Sequence, residues 1–316
     1  MKKKPLIILT GPTAVGKTAL SIKLAKTVNG EIISADSMQV YKGMDIGSAK
    51  IMPEEMEGVK HHLIDVLEPS EEFNIVKFQE LSKQALEEIY AKGKMPIIAG
   101  GTGFYIQSVL YDINFETNEN NREYRTWLET IATKDGGVQK LYALLKEKDP
   151  KSAEIIHENN VKRVIRALEF FEETGMPISE HNEEQREKES PYNFCYFVLN
   201  DDREKLYSNI DKRVDFMFKS GLVDEVKKLH DKGYEKNMVS MQGLGYKEVL
   251  DYLNGEISLE RASYLIKRDT RHFAKRQLTW FRREKTVTWV DKQQFKYDET
   301  AILDFMIKHL RENDIL

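Results

Sequence analysis

The sequence predicts an α/β protein: a parallel sheet flanked by helices, interrupted by an all-helical insertion. Three observations predict it. Short apolar runs ended by turn residues alternate with amphipathic helical patterns through residue 103, and that alternation builds parallel sheets covered on both faces. The first apolar run passes through a glycine-rich turn straight into a helical pattern. From about residue 115 to 190 only helical patterns occur, and strand character returns at 192–200.

Each element has its own local signature. "PLIILT" (5–10) is short, apolar and closed by Gly-Pro, as a buried strand is. "TALSIKLAKTV" (18–28) spaces Leu20, Leu24 and Val28 on one helix face. "EIISADS" (31–37) reads as the second strand and "HHLIDVL" (61–67) as the third. An amphipathic helix fills 74–93, with Asn74 as N-cap and Gly93 as its stop. "MPIIAGGTG" (95–103) is a fourth strand running into a glycine turn. In the insertion, 121–136, 137–149 and 159–177 are helical, the last ended by Gly175 and Pro177. After the strand at 192–200, helices are expected near 203–219, 221–232, 246–253 and 258–280. A short strand "TVTWV" (286–290) and a final helix follow. The domain reading is a core made of 1–114 with 191–316, and an insertion at 115–190. Ligands of such sheets bind at the carboxyl ends of the strands.

Composition narrows the class. The 316 residues are 41% hydrophobic and 32% charged, which suits a soluble globular chain with a core. No apolar run nears the roughly 20 residues that span a bilayer. The opening "MKKKPLIILTGPT" is basic and then apolar, but the apolar run is too short for a signal peptide. The single Cys195 excludes a disulfide or a cysteine zinc site within one chain. A cytoplasmic protein is the expectation, and nothing demands more than a monomer. The formal net charge is −4, yet 267–285 holds eight Lys/Arg against two acids, with His272, Phe273, Trp280 and Phe281 interleaved. Such a stretch suits either a polyanion or a solvated helix with an aromatic core stripe.

The strongest chemical signal is "GPTAVGKT" (11–18). It fits G-x-x-x-x-G-K-[ST] in full, after a strand and before a helix. A P-loop NTPase-like core follows. Gly11, Pro12, Thr13, Ala14, Val15, Gly16, Lys17 and Thr18 form the diphosphate grip. The amides of 13–18 wrap the phosphates at a helix N-terminus, and Lys17 adds a point charge. The Thr18 hydroxyl ligates Mg²⁺. Asp36 is expected at the end of the second strand, next door to the phosphate loop, where a carboxylate serves a metal, takes a proton or simply closes a turn. The Gln39 amide could meet an adenine edge. "AGGTGFY" (99–105) faces the same side, either as a close-approach surface or as a plain strand-to-helix turn. The fourth strand ends in glycines where a Walker-type Asp would stand; Asp65 comes early in its own apolar run. The motif alone is strong for diphosphate binding and not specific for ATP hydrolysis, so a small-molecule kinase with ATP in the loop stays open beside other diphosphate chemistry.

The combination "GPTAVGKT", "ISADSMQVYKGMDIGSAK", "HHLIDV", "AGGTGFYI", "VKRVIRALEFFEETGMPIS", "IDKRVDFM", "GLVDEV", "GLGYKEV" and "TRHFAKRQLTWFR" resembles one family, the tRNA dimethylallyltransferases. The segments occur in the family's order over nearly the whole chain. "DSMQVYKGMDIGSAK" and the "TRHFAKRQLTWFR" segment are the most specific. Two departures touch RNA contacts: Met38 stands where the family often has Arg, and "HENN" (157–160) where it often has "HPND", so Asn160 replaces Asp. With its single cysteine, the chain resembles the bacterial form rather than eukaryotic members with a zinc finger.

The resemblance implies a reaction in which the phosphate is the leaving group. A dimethylallyl group passes from dimethylallyl diphosphate to N6 of adenosine 37, beside the anticodon, in tRNAs reading codons that begin with U. The product is N6-(dimethylallyl)adenosine with diphosphate. Asp36 matches the general base and Arg213 an additional diphosphate-binding arginine; with Thr18 they are the expected catalytic residues. Asp36, Ser37, Met38, Gln39, Thr102 and the run Lys162, Arg163, Val164, Ile165, Arg166 match positions near the tRNA. The insertion is expected to clamp the anticodon stem-loop, and the basic 270–283 helix to hold backbone phosphates. Mg²⁺ is the implied cofactor.

Overall fold

The computed structural model describes residues 3–115 and 122–316. Six strands form one parallel sheet: β1 (Lys4–Thr10), β2 (Gly30–Ala35), β3 (His61–His62), β4 (Met95–Gly100), β5 (Tyr192–Asn200) and β6 (Thr288–Asp291). Their spatial order is β3-β2-β4-β1-β5-β6. β1 registers Ile7 on Ile97 of β4 and on Cys195 of β5, so the phosphate-loop strand lies at the centre. Leu6, Ile7, Ile8 and Leu9 have no exposed surface, which is why this strand is continuously apolar rather than alternating.

Helices α1 (Lys17–Thr27), α2 (Ile75–Ala91), α3 (Gly103–Leu110), α9 (Arg203–Lys219), α10 (Leu222–Asp231), α11 (Tyr246–Leu253), α12 (Leu259–Phe281) and α13 (Glu299–Glu312) complete this unit. Asn74 caps α2 by accepting from the Lys77 amide at 3.0 Å. Ser258 caps α12 by accepting from the Arg261 amide. The unit comprises Met1–Leu110 with Pro191–Leu316.

The second unit, Tyr111–Ser190, is helical: α4 (Arg122–Ala132), α5 (Gly137–Lys148), α6 (Pro150–Ile155), α7 (Val161–Thr174) and α8 (Ile178–Glu187). Its own apolar core gathers Leu128, Leu141, Leu145, Val164, Ile165 and Leu168. Asp149 staples it, accepting from the Ser152 amide (2.9 Å), the Ser179 amide (3.0 Å) and the Ser179 hydroxyl (2.6 Å). The expected helix start at Asn121 lies outside the described residues.

Two local expectations change. The third strand is two residues long rather than seven, because Leu63 and Asp65 take positive φ (64° and 52°) and turn the chain out of the sheet. Beyond it, the Val66 and Leu67 amides donate to Val40 O, so this segment pairs with the loop after β2. Residues 178–187, beyond the three helices expected in the insertion, form helix α8.

Candidate active site

The phosphate loop sits between β1 and α1 at the carboxyl edge of the sheet. Gly16 caps α1 at φ 97°, a left-handed conformation that an L side chain resists. The Lys17 ammonium folds back on its own loop, donating to Gly11 O (2.9 Å) and Pro12 O (2.8 Å). Burial, and next the Arg213 guanidinium, pull Lys17 down to about 7, while the Asp36 carboxylate works the other way. Arg213 comes from α9 and its Nη1 donates to the Thr13 hydroxyl at 3.3 Å. Its own pKa is lowered by burial and raised by Asp36. The common influence of Asp36 on both cations brings Asp36, Lys17 and Arg213 into one electrostatic cluster.

Asp36 follows β2, yet it is not on the strand beside the phosphate loop. β4 lies between β2 and β1. This overturns the simpler expectation that the two ends are neighbours, and it gives the glycine turn a purpose. A side chain on Gly101 would meet Gln277 Nε2 at 2.2 Å, and one on Gly103 would meet the Trp280 ring at 2.2 Å. The glycines thus let α12 pack, through Gln277 and Trp280, directly against the end of the strand that separates the phosphate grip from the carboxylate. Asp36 Oδ1 accepts from the Met38 (2.8 Å) and Gln39 (3.3 Å) amides, closing a turn. Its Oδ2 has no protein partner among the described residues. One carboxylate therefore both closes the turn and presents an unpaired oxygen.

Gln39 does not present a free amide. Its Nε2 donates to Ala49 O at 3.2 Å and its Oε1 faces the Ser34 hydroxyl at 3.4 Å. Met38 packs its terminal methyl against Gly243 in the "GLGYKE" segment. Ser37 is half-buried beside them. Thr102 heads α3, its carbonyl accepting from the Tyr105 and Ile106 amides and its own amide donating to Ala35 O (3.2 Å). In the helical unit, Lys162, Arg163 and Arg166 are exposed, but Val164 and Ile165 are 1% and 3% exposed in its core. Their side chains hold the helix and do not reach a ligand. Lys275, Arg276, Arg282 and Arg283 are exposed on or just after α12 and make no ion pair among the described residues. Lys267 and Arg271, by contrast, pair with Asp215 and Asp211 of α9, each at 2.5 Å.

The loop amides are not all available. The Thr13 amide, expected to join the phosphate wrap, donates to Gln277 Oε1 at 2.9 Å. Asp65 is no metal carboxylate either: it accepts from the buried Lys50 ammonium at 2.5 Å, which also reaches Asp45 Oδ1 and Tyr41 O. Among the described residues no cluster of three His, Cys, Asp or Glu could hold a metal. A phosphate-loop Mg²⁺ needs none, because it takes one or two protein oxygens and keeps phosphate and water for the rest. The Thr18 hydroxyl, exposed and without a protein partner among the described residues, fits that demand.

Three supporting residues escaped the sequence reading. Glu225 of α10 accepts from the amides of Asp45 (3.0 Å), Ile46 (2.7 Å) and Gly47 (3.0 Å) and from the Tyr246 hydroxyl (2.8 Å). The "DIGSAK" loop, "GLVDEV" and "GLGYKEV" are therefore one clamp. Gln277, 6% exposed, is the second. Lys292, which donates to Val15 O at 3.2 Å, is the third. Glu225 and Gln277 left a trace: each lies in the apolar stripe of its helix, between Leu222 and Leu229 or between Ala274 and Phe281. A polar residue in a buried stripe must be hydrogen-bonded.

Residues 39–284 match the model of the family described as IPP transferase. A protein of Lachnoclostridium phytofermentans named tRNA dimethylallyltransferase is 62% identical over 313 residues, covering 99% of each chain. A solved full-length tRNA isopentenylpyrophosphate transferase from Bacillus halodurans is 46% identical over 99% of this chain and 98% of its own, with TM-score 0.74. A eukaryotic dimethylallyltransferase, solved acting on tRNA, superposes with TM-score 0.78 at 32% identity, over 91% of this chain and 74% of its own.

Proposed function

This chain belongs to the IPP transferase family, and on that premise we propose that it transfers a dimethylallyl group from dimethylallyl diphosphate to N6 of adenosine 37 in tRNAs reading codons that begin with U. One observation carries the reading. The phosphate grip and the unpaired Asp36 oxygen flank the end of β4, and Asp36 acts on both Lys17 and Arg213. The lane between grip and carboxylate is where a flat base would meet a bound diphosphate ester.

The chemistry follows from that arrangement. The C1–O bond of the donor breaks as the adenine N6 lone pair bonds to C1. The electron pair of the broken bond leaves with the diphosphate, and the N6 proton passes to Asp36 Oδ2. Lys17, Arg213 and the remaining loop amides meet the charge that grows on the leaving oxygen. Bound Mg²⁺, held by Thr18 and diphosphate oxygens, would supply further neutralisation of that charge. An adenine amine is a weak nucleophile, so holding it beside C1 supplies much of the rate. The acceptor base must leave its stack to enter the lane. The exposed cations Lys162, Arg163 and Arg166 of the helical unit, and Lys275, Arg276 and Arg282 of α12, support docking on RNA phosphates. The protein acts as a cytoplasmic monomer in this reading; among the described residues no helix is long and apolar enough to cross a membrane. The loop grips a diphosphate whatever it is esterified to, so ATP competes with the donor.

The test is direct. The protein is incubated with Mg²⁺, dimethylallyl diphosphate and unmodified tRNA bearing A36-A37, and the digested nucleosides are weighed. An adenosine heavier by one C5H8, lost in Asp36→Asn and Lys17→Met, is the expected result. No mass gain with any tRNA, alongside ATP consumption with a small acceptor, would replace the transferase with a kinase.

A further inference from the structure

We infer that Gln277 is a positioning residue of the donor site, acting through the Thr13 peptide on Arg213. The inference rests on the transferase reading above. Three contacts make the relay. Gln277 Oε1 accepts from the Thr13 amide (2.9 Å), and Gln277 Nε2 donates to Gly101 O (2.9 Å). The Thr13 hydroxyl in turn accepts from Arg213 Nη1 (3.3 Å). Both ends of the buried Gln277 amide are thus consumed on the two backbone segments that border the lane, the phosphate loop and the end of β4. There is no slack: a Cβ on Gly101 would stand 2.2 Å from Gln277 Nε2.

The consequence is electrostatic. A loop amide turned toward Gln277 is withheld from the phosphates, so the loop offers the Thr13 side chain instead. That side chain aims the Arg213 guanidinium. Among the described residues the Thr13 hydroxyl is the hydrogen-bond partner of Arg213, whose charge is opposed by burial and favoured by the Asp36 carboxylate. A guanidinium recognises diphosphate by orientation as well as charge, so its aim decides how well it serves the leaving group. Gln277 also belongs to α12, the helix whose exposed side carries Lys275, Arg276 and Arg282. One helix therefore serves the donor loop on its buried face.

The experiment uses Gln277→Met, which keeps the length and removes both hydrogen-bonding atoms. Affinity for dimethylallyl diphosphate with Mg²⁺ is measured by calorimetry on the free protein, which needs no transfer step; kcat and both KM values come from tRNA turnover. The expected result is donor affinity and donor kcat/KM about tenfold weaker, as misaiming one charge-assisted contact to the diphosphate implies, with the tRNA KM within about twofold. A double-mutant cycle with Arg213→Lys should be less than additive by at least about threefold, since both changes remove one function. Thr13→Val, which keeps the backbone amide's hydrogen bond to Gln277 and deletes the relay's hydroxyl, should reproduce the donor loss and serves if Gln277→Met does not fold. Unchanged donor affinity in either variant, an additive cycle, or equal loss of donor and tRNA binding would overturn the relay. A wild-type protein that binds the donor but prenylates no tRNA would instead sink the transferase reading, leaving the calorimetric test of Gln277 intact.

Discussion

Lys17 makes the donor site a proton-linked binder. In the free protein its ammonium is held by two loop carbonyls and lowered by burial from 10.5 to about 7. The sign follows from which form the ligand prefers. Diphosphate demands the charged ammonium, so binding returns the lysine toward its ordinary value. Below about pH 6 the ammonium is already charged and binding takes up almost no proton. At pH 8 about a tenth of the free protein carries that charge, so binding should take up about 0.9 proton per site. Over pH 7.5–9 the dissociation constant should then weaken by close to tenfold per pH step of one. The assay is titration calorimetry with dimethylallyl diphosphate and Mg²⁺ in buffers of different ionisation enthalpy, where the slope of apparent enthalpy gives the protons taken up. Lys17→Arg stays charged throughout and should flatten the dependence, whatever it does to absolute affinity. Uptake near zero at pH 8 in the wild type, or equal uptake in Lys17→Arg, would refute the reasoning.

Other outcomes follow from the same geometry. Asp36→Asn keeps the Oδ1 acceptor for the Met38 and Gln39 amides and loses the basic oxygen, so prenylation should fall by at least about a hundredfold while tRNA affinity and melting temperature hold; Asp36→Ala should lose stability as well. Glu225→Ala leaves the amides of residues 45–47 and the Tyr246 hydroxyl without their acceptor and should cost about 3–5 kcal/mol in urea unfolding. Glu31 at the opposite end of β2 is pushed up by burial but held at about 2 by His62, Lys94 and Lys92, which outweigh it. Its contribution is complete above the ordinary carboxyl value and is lost as pH falls through about 2, so Glu31→Gln should flatten the acid limb of stability between pH 4.5 and 2. Gly103→Ala drives a methyl into Trp280 and should lower activity together with stability.

Much of the architecture was legible because it is written locally. The inner strands β1, β2, β4 and β5 are buried over most of their length and so read largely as apolar runs, and Asn74 announces the start of α2. The phosphate loop is a local device and was legible for the same reason. What the chain does not write locally is adjacency. Nothing in "EIISADS" says that β4, sixty residues on, will slide between it and β1, so the lane beside Asp36 could not be read. Val164 and Ile165 matched a motif run whose even spacing hides the helical period: the motif counts residues in sequence, while burial counts them around an axis. Glu225 and Gln277 were visible only as polar interruptions of apolar stripes. Their partners lie 180 and 264 residues away, so the chemistry of those interruptions had no sequence address.

The place of β4 between β1 and β2 has one more consequence. Strands in a sheet stand about 4.8 Å apart, so the roots of the phosphate grip and of Asp36 are separated by roughly twice that, near 10 Å. The backbone thus works as a gauge. It is set by hydrogen-bonded pitch rather than by side-chain length, and no substitution can reset it short of rebuilding the sheet. Whatever bridges the two roots must fit leaving group, transferred carbon and attacking nitrogen within that width. Variation in donor or acceptor is then accommodated by what borders the lane, in the glycine turn and the loop clamped by Glu225, while the width itself stays constant.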